Sequence, residues 1–315
     1  MKFPLQFPAG REFDVVGFGT NAVDYLIRVP EYPEFNSKIE LVDYVQAAGG
    51  EAATTAAGLR RLGLKTAYIG RFGDDKAGEF GLRSLADEGV DTRFAEQVAG
   101  ARTQIAFIII DVRNGERTVI WERHEKLAYS REDVPPGAAE LGKVLHFTPH
   151  DVEACLELAH QARRSGTIVS IDIDDLFEGV DELLSHVDIL IASSDFPAKL
   201  LLVDDRRVAL REMQQRFGCA IVGVTLGDQG SLLLCGGEFI ETKGYAVPNG
   251  CKDTTGAGDA FRVGLLHGLL TGKSVEDAAE SANAVAALKC REIGARTALP
   301  TAVELDELLA SRLRK

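Results

Sequence analysis

The stretch that decides the reading is Asp253-Thr254-Thr255-Gly256-Ala257-Gly258-Asp259-Ala260-Phe261, which leads straight into an apolar helical pattern over Gly256–Leu270. Helix starts leave backbone N–H groups unpaired and carry the positive end of the helix dipole. Small residues there let an anion come close to those amides. Asp259 falls in the first helical turn, where a negative charge beside an anion site needs a task of its own. It has one if it accepts a proton from an attacking hydroxyl while the amides of Gly256, Ala257 and Gly258 hold the charge of a transferring phosphoryl group. The same residues are equally compatible with a glycine-rich turn whose acid merely complements the dipole.

Upstream of this stretch, short apolar runs alternate with amphipathic ones. Phe13–Gly17, Thr66–Gly70, Lys143–Thr148, Thr167–Ile173, Asp188–Ala192 and Ala220–Thr225 are nearly continuous hydrophobic runs, the pattern of strands covered on both faces of a parallel sheet. Between them Ala52–Leu62, Ala77–Glu88, Asp151–Arg164 and Asp205–Phe217 are helical, and Gly89, Gly166 and Gly218 follow three of these where a C-terminus accepts positive φ. This alternation predicts a doubly wound α/β sheet. Ser231–Cys235 and Glu238–Thr242, joined by Gly236-Gly237, form a hairpin at its far edge, and Val275–Lys289 and Ala302–Arg312 complete a helical C-terminal third.

Two segments break the alternation. Gln104–Val112 and Arg117–Arg123 flank Arg113-Asn114-Gly115-Glu116, and Asn-Gly between such runs signals a hairpin with a type I′ turn. Ser37–Gln46 alternates apolar and polar residues without a partner helix. Together they predict a small antiparallel sheet set apart from the main one, a lid with strands from about 35–48 and 102–123. No repeat or linker divides the chain, so residues 1–315 are expected to form one domain.

Composition narrows the function classes. Lys plus Arg number 35 against 48 Asp plus Glu, a formal charge of −13 that opposes a general affinity for nucleic acid. No apolar run approaches the roughly 18 residues that cross a bilayer, so no membrane role is expected. Met1–Pro8 carries no apolar signal core, and the five scattered cysteines include no C-x-x-C. A cytoplasmic protein without a disulfide framework or zinc site is expected, and no metal ligand is assigned.

At this point the residues carry a resemblance. DTTGAGDAF at Asp253–Phe261 resembles the C-terminal signature of the ribokinase-like sugar kinases, the PfkB carbohydrate kinase family. Gly49-Gly50 with Ala56 resembles the family's diglycine signature, Thr225-Leu226-Gly227-Asp228-Gln229-Gly230 its nucleotide-binding stretch, and Asn283 with the alanine-rich run after it the adenine-side helix. Gly294-Ala295 and Leu299-Pro300 resemble its closing loop, so the match runs from about Phe13 to Pro300. The resemblance implies a ribokinase-like three-layer α/β/α sandwich with a small β-sheet lid. It implies ATP- and Mg²⁺-dependent phosphorylation of a hydroxymethyl group on a small carbohydrate, with Asp259 as base and Gly256, Ala257 and Gly258 as anion hole. Thr225, Gly227, Gly230, Thr255 and Asn283 would hold the nucleotide. Asp24, Gly49, Gly50 and Thr54 would meet the substrate, while Arg123, at the end of the lid hairpin, is by its position either solvated or substrate-facing. A monovalent cation at the Asp253 and Thr255 loop is a further possibility, and exposed lid strands suggest a homodimer.

Several positions depart from the family pattern. Thr54 stands where an Asn is usual, and Ala22 and Glu51 stand where ribokinases carry Asn and Lys, which disfavours ribose. Ser194-Asp195-Phe196-Pro197 replaces an N-x-x-E, and Ala298 replaces a Ser linked to cation binding. Thr54 and Ala286–Cys290 are most similar to the sulfofructose-kinase-like branch. A nucleoside kinase is the alternative within the class, with Tyr25, Tyr44, Phe107 and Trp121 as a candidate aromatic shelf. A non-catalytic sugar sensor is the alternative outside it. Gly17-Phe18-Gly19-Thr20-Asn21-Ala22 mimics a dinucleotide fingerprint, but Val23–Val29 is β-branched where that motif needs a helix. Gly272-Lys273-Ser274 reads as a helix junction instead of a phosphate loop, and His146 with His150 lacks the geometry of a metal pair.

Overall fold

The computed structural model describes residues 1–113 and 115–312. The chain opens with β1 (Phe13–Phe18), β2 (Ala22–Val29), β3 (Asp43–Gly49), α1 (Glu51–Arg61), β4 (Thr66–Gly73), α2 (Lys76–Asp87) and β5 (Asp91–Val98). It continues through β6 (Ile105–Asp111), β7 (Arg117–Glu122), β8 (Gly142–Phe147), α3 (Val152–Ser165), β9 (Ile168–Ile173), α4 (Val180–Leu184) and β10 (Ile189–Ala192). It closes with α5 (Phe196–Leu201), α6 (Arg206–Phe217), β11 (Ile221–Thr225), β12 (Ser231–Cys235), β13 (Glu238–Thr242), α7 (Ala257–Leu270), α8 (Val275–Lys289) and α9 (Ala302–Arg312).

The large sheet has the order β13-β12-β11-β10-β9-β8-β1-β4-β5. It is parallel from β5 to β11 and turns antiparallel at the β12–β13 edge. Its central strands are buried on both faces, as their unbroken apolar runs require. Leu158 of α3, Phe196 of α5 and Leu210 of α6 pack on one face, while Leu59 of α1, Val263 of α7 and Ala282 of α8 pack on the other. α7 and α8 approach closely because α7 carries glycine at the contacts. A methyl on Gly264 would lie 2.5 Å from the Ala282 Cα, and one on Gly268 2.7 Å from the Ala278 Cα. Gly166 and Gly218 end α3 and α6 at φ +74°, and Ser274 caps α8 by accepting the Asp277 N–H, so the Gly272–Ser274 segment is a helix junction.

The small sheet has the order β3-β2-β6-β7. It corrects the sequence reading in two ways. β2 is its second strand and pairs in parallel with β6, Asp24 opposite Ala106, so the sheet is mixed. The outer strand starts only at Asp43, because β2 stops at Val29 before Pro30 and leaves residues 37–42 beyond its end. β6 and β7 pair antiparallel as expected, with Ile110 opposite Arg117. Of the Asn-Gly turn expected between them, Gly115 has φ +74° and Asn114 lies outside the described residues. β5, a polar edge strand of half-buried and exposed residues, was also absent from the sequence expectations.

Candidate active site

Ligands of open α/β sheets bind outside the carboxyl ends of the strands. Here those ends supply Thr20 after β1, His150 after β8, Asp172 and Asp174 at β9, Ser193 after β10 and Thr225 at β11. They form the floor of a cavity of about 540 Å³. The small sheet roofs it with alternate residues: Ala22 and Asp24 of β2, Ala106 and Ile108 of β6, and Arg117, Val119 and Trp121 of β7. The N-terminus of α7 closes one wall with Gly256, Gly258 and Asp259.

Gly256 caps α7 at φ +75° and sits so tightly on the closing loop that a methyl there would lie 2.8 Å from the Ala295 Cβ. The Ala257 N–H donates to the Thr254 carbonyl at 3.1 Å. That amide is therefore engaged within the loop in this structure. The first intrahelical bond runs from Ala260 to Gly256, so the Gly258 and Asp259 amides belong to the set a helix start leaves open. Asp259 is 7% exposed, and burial together with Asp172 and Glu51 raises its pKa well above the usual carboxylate range. A carboxylate of raised pKa is a stronger proton acceptor.

Two buried arginines, neither singled out by the sequence, organise these acids. Arg262 stands one turn after Gly258 in an otherwise apolar run. It forms an ion pair with Asp172 and donates to the Ile191 carbonyl at 3.0 Å. Its guanidinium runs along the helix start, since a methyl on Gly258 would lie 2.8 Å from Nη1. Burial raises the Asp172 pKa to about 7, with Arg262 opposing the rise. Burial and Asp174 raise that of Glu51 to about 7 as well. The Glu51 side chain keeps 42% of its surface exposed, and water there moderates the effect.

The second arginine, Arg296, donates to the Gly49 carbonyl, to Thr54 Oγ1 at 3.3 Å and to Ser84 Oγ at 3.1 Å. Thr54 is thus fully buried behind the cavity wall. The diglycine has a steric cause: a methyl on Gly49 would lie 2.0 Å from Asp24 Oδ2, and one on Gly50 (φ +84°) 2.3 Å from the Asn21 Cα. The glycines make room for Asp24 and the neighbouring backbone, while Gly50 itself lines the cavity. Burial raises the Asp24 pKa to about 6, opposed by Arg296.

Arg123 stands apart from the cavity, because Asp151 holds it in a two-pronged ion pair at 2.6 and 2.9 Å and the Leu127 carbonyl accepts from it at 2.9 Å. Arg117 takes the expected place of a basic roof residue and donates to Thr254 Oγ1 at 2.5 Å, tying the small sheet to the Asp253–Gly258 loop. The aromatic shelf reduces to Trp121. Tyr25 and Phe107 stack on each other, 5.3 Å apart, on strand positions offset by one from the cavity-lining ones, and Tyr44 is exposed. His146 is buried against Ser170 Oγ at 3.1 Å. His150 faces Trp121 edge-on, and no group of three or more His, Cys, Asp or Glu is arranged for a metal among the described residues.

A second pocket of about 240 Å³ adjoins the first and shares Thr225, Thr254 and Gly258 with it. Gly227, Gly230 and Asn283 line it, and Thr255 stands on the loop between the two with its buried Oγ1 lacking a hydrogen-bond partner. Gly230 must be glycine, because at φ +104° a methyl would lie 2.0 Å from the Thr242 carbonyl. The Asn283 amide nitrogen is held by Ser231 and Thr242 hydroxyls at 3.1 and 2.8 Å. Two connected pockets meeting at a helix N-terminus beside a buried acid suit the transfer of an anionic group from one ligand to another.

The profile described as pfkB family carbohydrate kinase matches residues 14–302. The chain belongs to the PfkB family of carbohydrate kinases. An ATP-dependent ribose-1-phosphate kinase of Halopiger xanaduensis is 30% identical over 92% of this chain and 95% of its own length. A fructokinase of Klebsiella pneumoniae is 32% identical over 84% of this chain and 92% of its own. The crystal structure of an adenosine kinase from Sinorhizobium meliloti is 25% identical, covers 96% of this chain and all of its own, and superposes with a TM-score of 0.81. As a PfkB member the chain is a phosphotransferase with an alcohol group as acceptor, built on the ribokinase-like fold. Among the described residues no helix is long and apolar enough to cross a membrane.

Proposed function

We propose that this PfkB kinase transfers the γ-phosphoryl group of ATP to a hydroxymethyl group of a small carbohydrate, with Asp259 as the base. The observation that carries the reading is Asp259 on the wall of the larger pocket, beside the open amides of the α7 N-terminus where the two pockets meet. The nucleotide lies in the pocket of Gly227, Gly230 and Asn283, and the relative named as ATP-dependent supports ATP as donor. The acceptor lies under the small sheet, its hydroxyls meeting Asp24. Asp259 takes the proton of the attacking hydroxyl, while the Gly256 and Gly258 amides and the nearby Arg262 stabilise charge on the transferring group. Magnesium takes one or two carboxylates and keeps most of its water, which Asp174 on the cavity wall fits. When bound, it would neutralise charge on the β- and γ-phosphates.

Asp24, Glu51, Asp172, Asp174 and Asp259 outnumber Arg117 and Arg262 on the cavity wall. That balance favours an uncharged acceptor over an anionic one such as a sulfonated sugar. We read the small sheet as a lid that excludes water, and residues 1–315 as one catalytic unit. The outer face of that sheet exposes Tyr44, Phe107 and Ile120, which suits pairing of two chains through it. Trp121 on the cavity wall and the similarity to an adenosine kinase support a nucleoside acceptor as the second reading. ADP formation from Mg·ATP, measured across ketoses, aldoses, sugar acids, sulfonated sugars and nucleosides, tests the reading. Turnover with a neutral sugar supports it, nucleoside turnover selects the second reading, and silence with ATP still bound points to a sensor.

A further inference from the structure

Lys289, at the C-terminal end of α8, is fully buried, an unusual place for an ammonium. Its Nζ donates to the Asp253 carbonyl at 2.8 Å and lies 3.7 Å from Asp253 Oδ2. Asp253 is equally buried and opens the loop that carries the anion-holding amides. Its two carboxylate oxygens accept the Thr255 N–H and the Gly294 N–H, each at 2.8 Å, so it orders both that loop and the closing loop packed on it. A carbonyl and a carboxylate oxygen turned inward together form a donor set for a small hard cation. Here the ammonium of the chain itself occupies it. Burial works against the charged lysine and Asp253 works for it.

We infer that Lys289 is a built-in cation: its ammonium stands where a monovalent ion would otherwise support the Asp253–Gly258 loop, and this kinase needs no such ion. The sequence reading allowed an ion at this loop, and the donor set is already filled. The inference rests on the reading of the loop as the holder of transferring phosphate. Within it Lys289 is a positioning residue, because it acts on phosphate only through Asp253 and the amides that Asp253 orders.

The test compares the protein in tetramethylammonium chloride with the protein in potassium chloride at equal ionic strength, reading both thermal unfolding and ADP affinity by calorimetry. The unmodified chain is expected to show the same unfolding midpoint and an ADP affinity unchanged within about twofold. Potassium-specific stabilisation, or an affinity gain of about tenfold, overturns the inference. Lys289→Ala opens the space beside Asp253. Its ADP affinity is expected to fall about tenfold in tetramethylammonium and to recover in potassium or ammonium chloride, whose ions fit the vacated space. Equal affinity in all three salts overturns the inference. Should the variant not fold, the comparison on the unmodified chain decides alone. If ADP binds in no salt, the kinase reading fails separately, and the unfolding midpoints still test Lys289.

Discussion

Replacing Arg262 by Met is the perturbation whose outcome the structure fixes most tightly. The side chain is nearly fully buried, and its ion pair with Asp172 is the principal compensation for a carboxylate that is only 14% exposed. Breaking such a pair from one side typically costs about 3–5 kcal/mol, because the remaining charge is left buried. For a chain of this length that corresponds to a fall in Tm of about 5–8 °C. The loss depends on pH, and its sign follows from the raised Asp172 pKa of about 7. The native state holds that proton where the unfolded chain has released it, so stability from this group falls as pH rises from the unfolded value toward the folded one. Removing Arg262 pushes the folded value higher still and extends the fall.

Differential scanning calorimetry at pH 5.5 and pH 8 should therefore give a small Tm change for Arg262→Met at the acid value and the full change at the alkaline one. Adding Asp172→Asn should recover much of the alkaline loss, since the uncompensated charge is then gone. A Tm change equal at both pH values, or a double variant no more stable than Arg262→Met, would refute the reasoning.

Two further outcomes follow from the cavity wall. Gly49→Ala places a methyl 2.0 Å from Asp24 Oδ2 and must displace that carboxylate, so the acceptor KM should rise about tenfold or more with ATP affinity unchanged, as steady-state kinetics would show. Activity should rise with pH as the buried Asp259 loses its proton. Glu51→Gln removes one of the charges that raise its pKa, so the acid limb of the kcat/KM profile should move to lower pH, and an unmoved limb would count against that electrostatic coupling.

Much of this arrangement was legible in the sequence because it is local. The parallel strands are continuous apolar runs, the helix ends carry glycine, and the residues from Asp253 to Asp259 sit together on one loop and one helical turn. What escaped is long-range. Arg296 meets Gly49 across 247 residues of chain, and Arg117 meets Thr254 across 137. The sequence reading offered Arg123 for the substrate and passed over Arg117, yet Asp151 captures Arg123 while Arg117 lines the cavity. β2 hid because Asp24 and Arg28 interrupt its apolar run, and β5 because a polar edge strand resembles a loop. Arg262 offered one signal, a charge inside an apolar helix four residues after Gly258. Lys289 offered none, since a lysine at a helix C-terminus is ordinary until its burial is seen.

The central claim is that Asp259 accepts the proton of the attacking hydroxyl. Turnover of Asp259→Asn, measured on the acceptor the unmodified enzyme uses and beside its ATP affinity, tests this most directly. The account predicts a kcat lower by about 10²–10⁴-fold with ATP affinity held within about twofold. Near-normal turnover in that variant would contradict it.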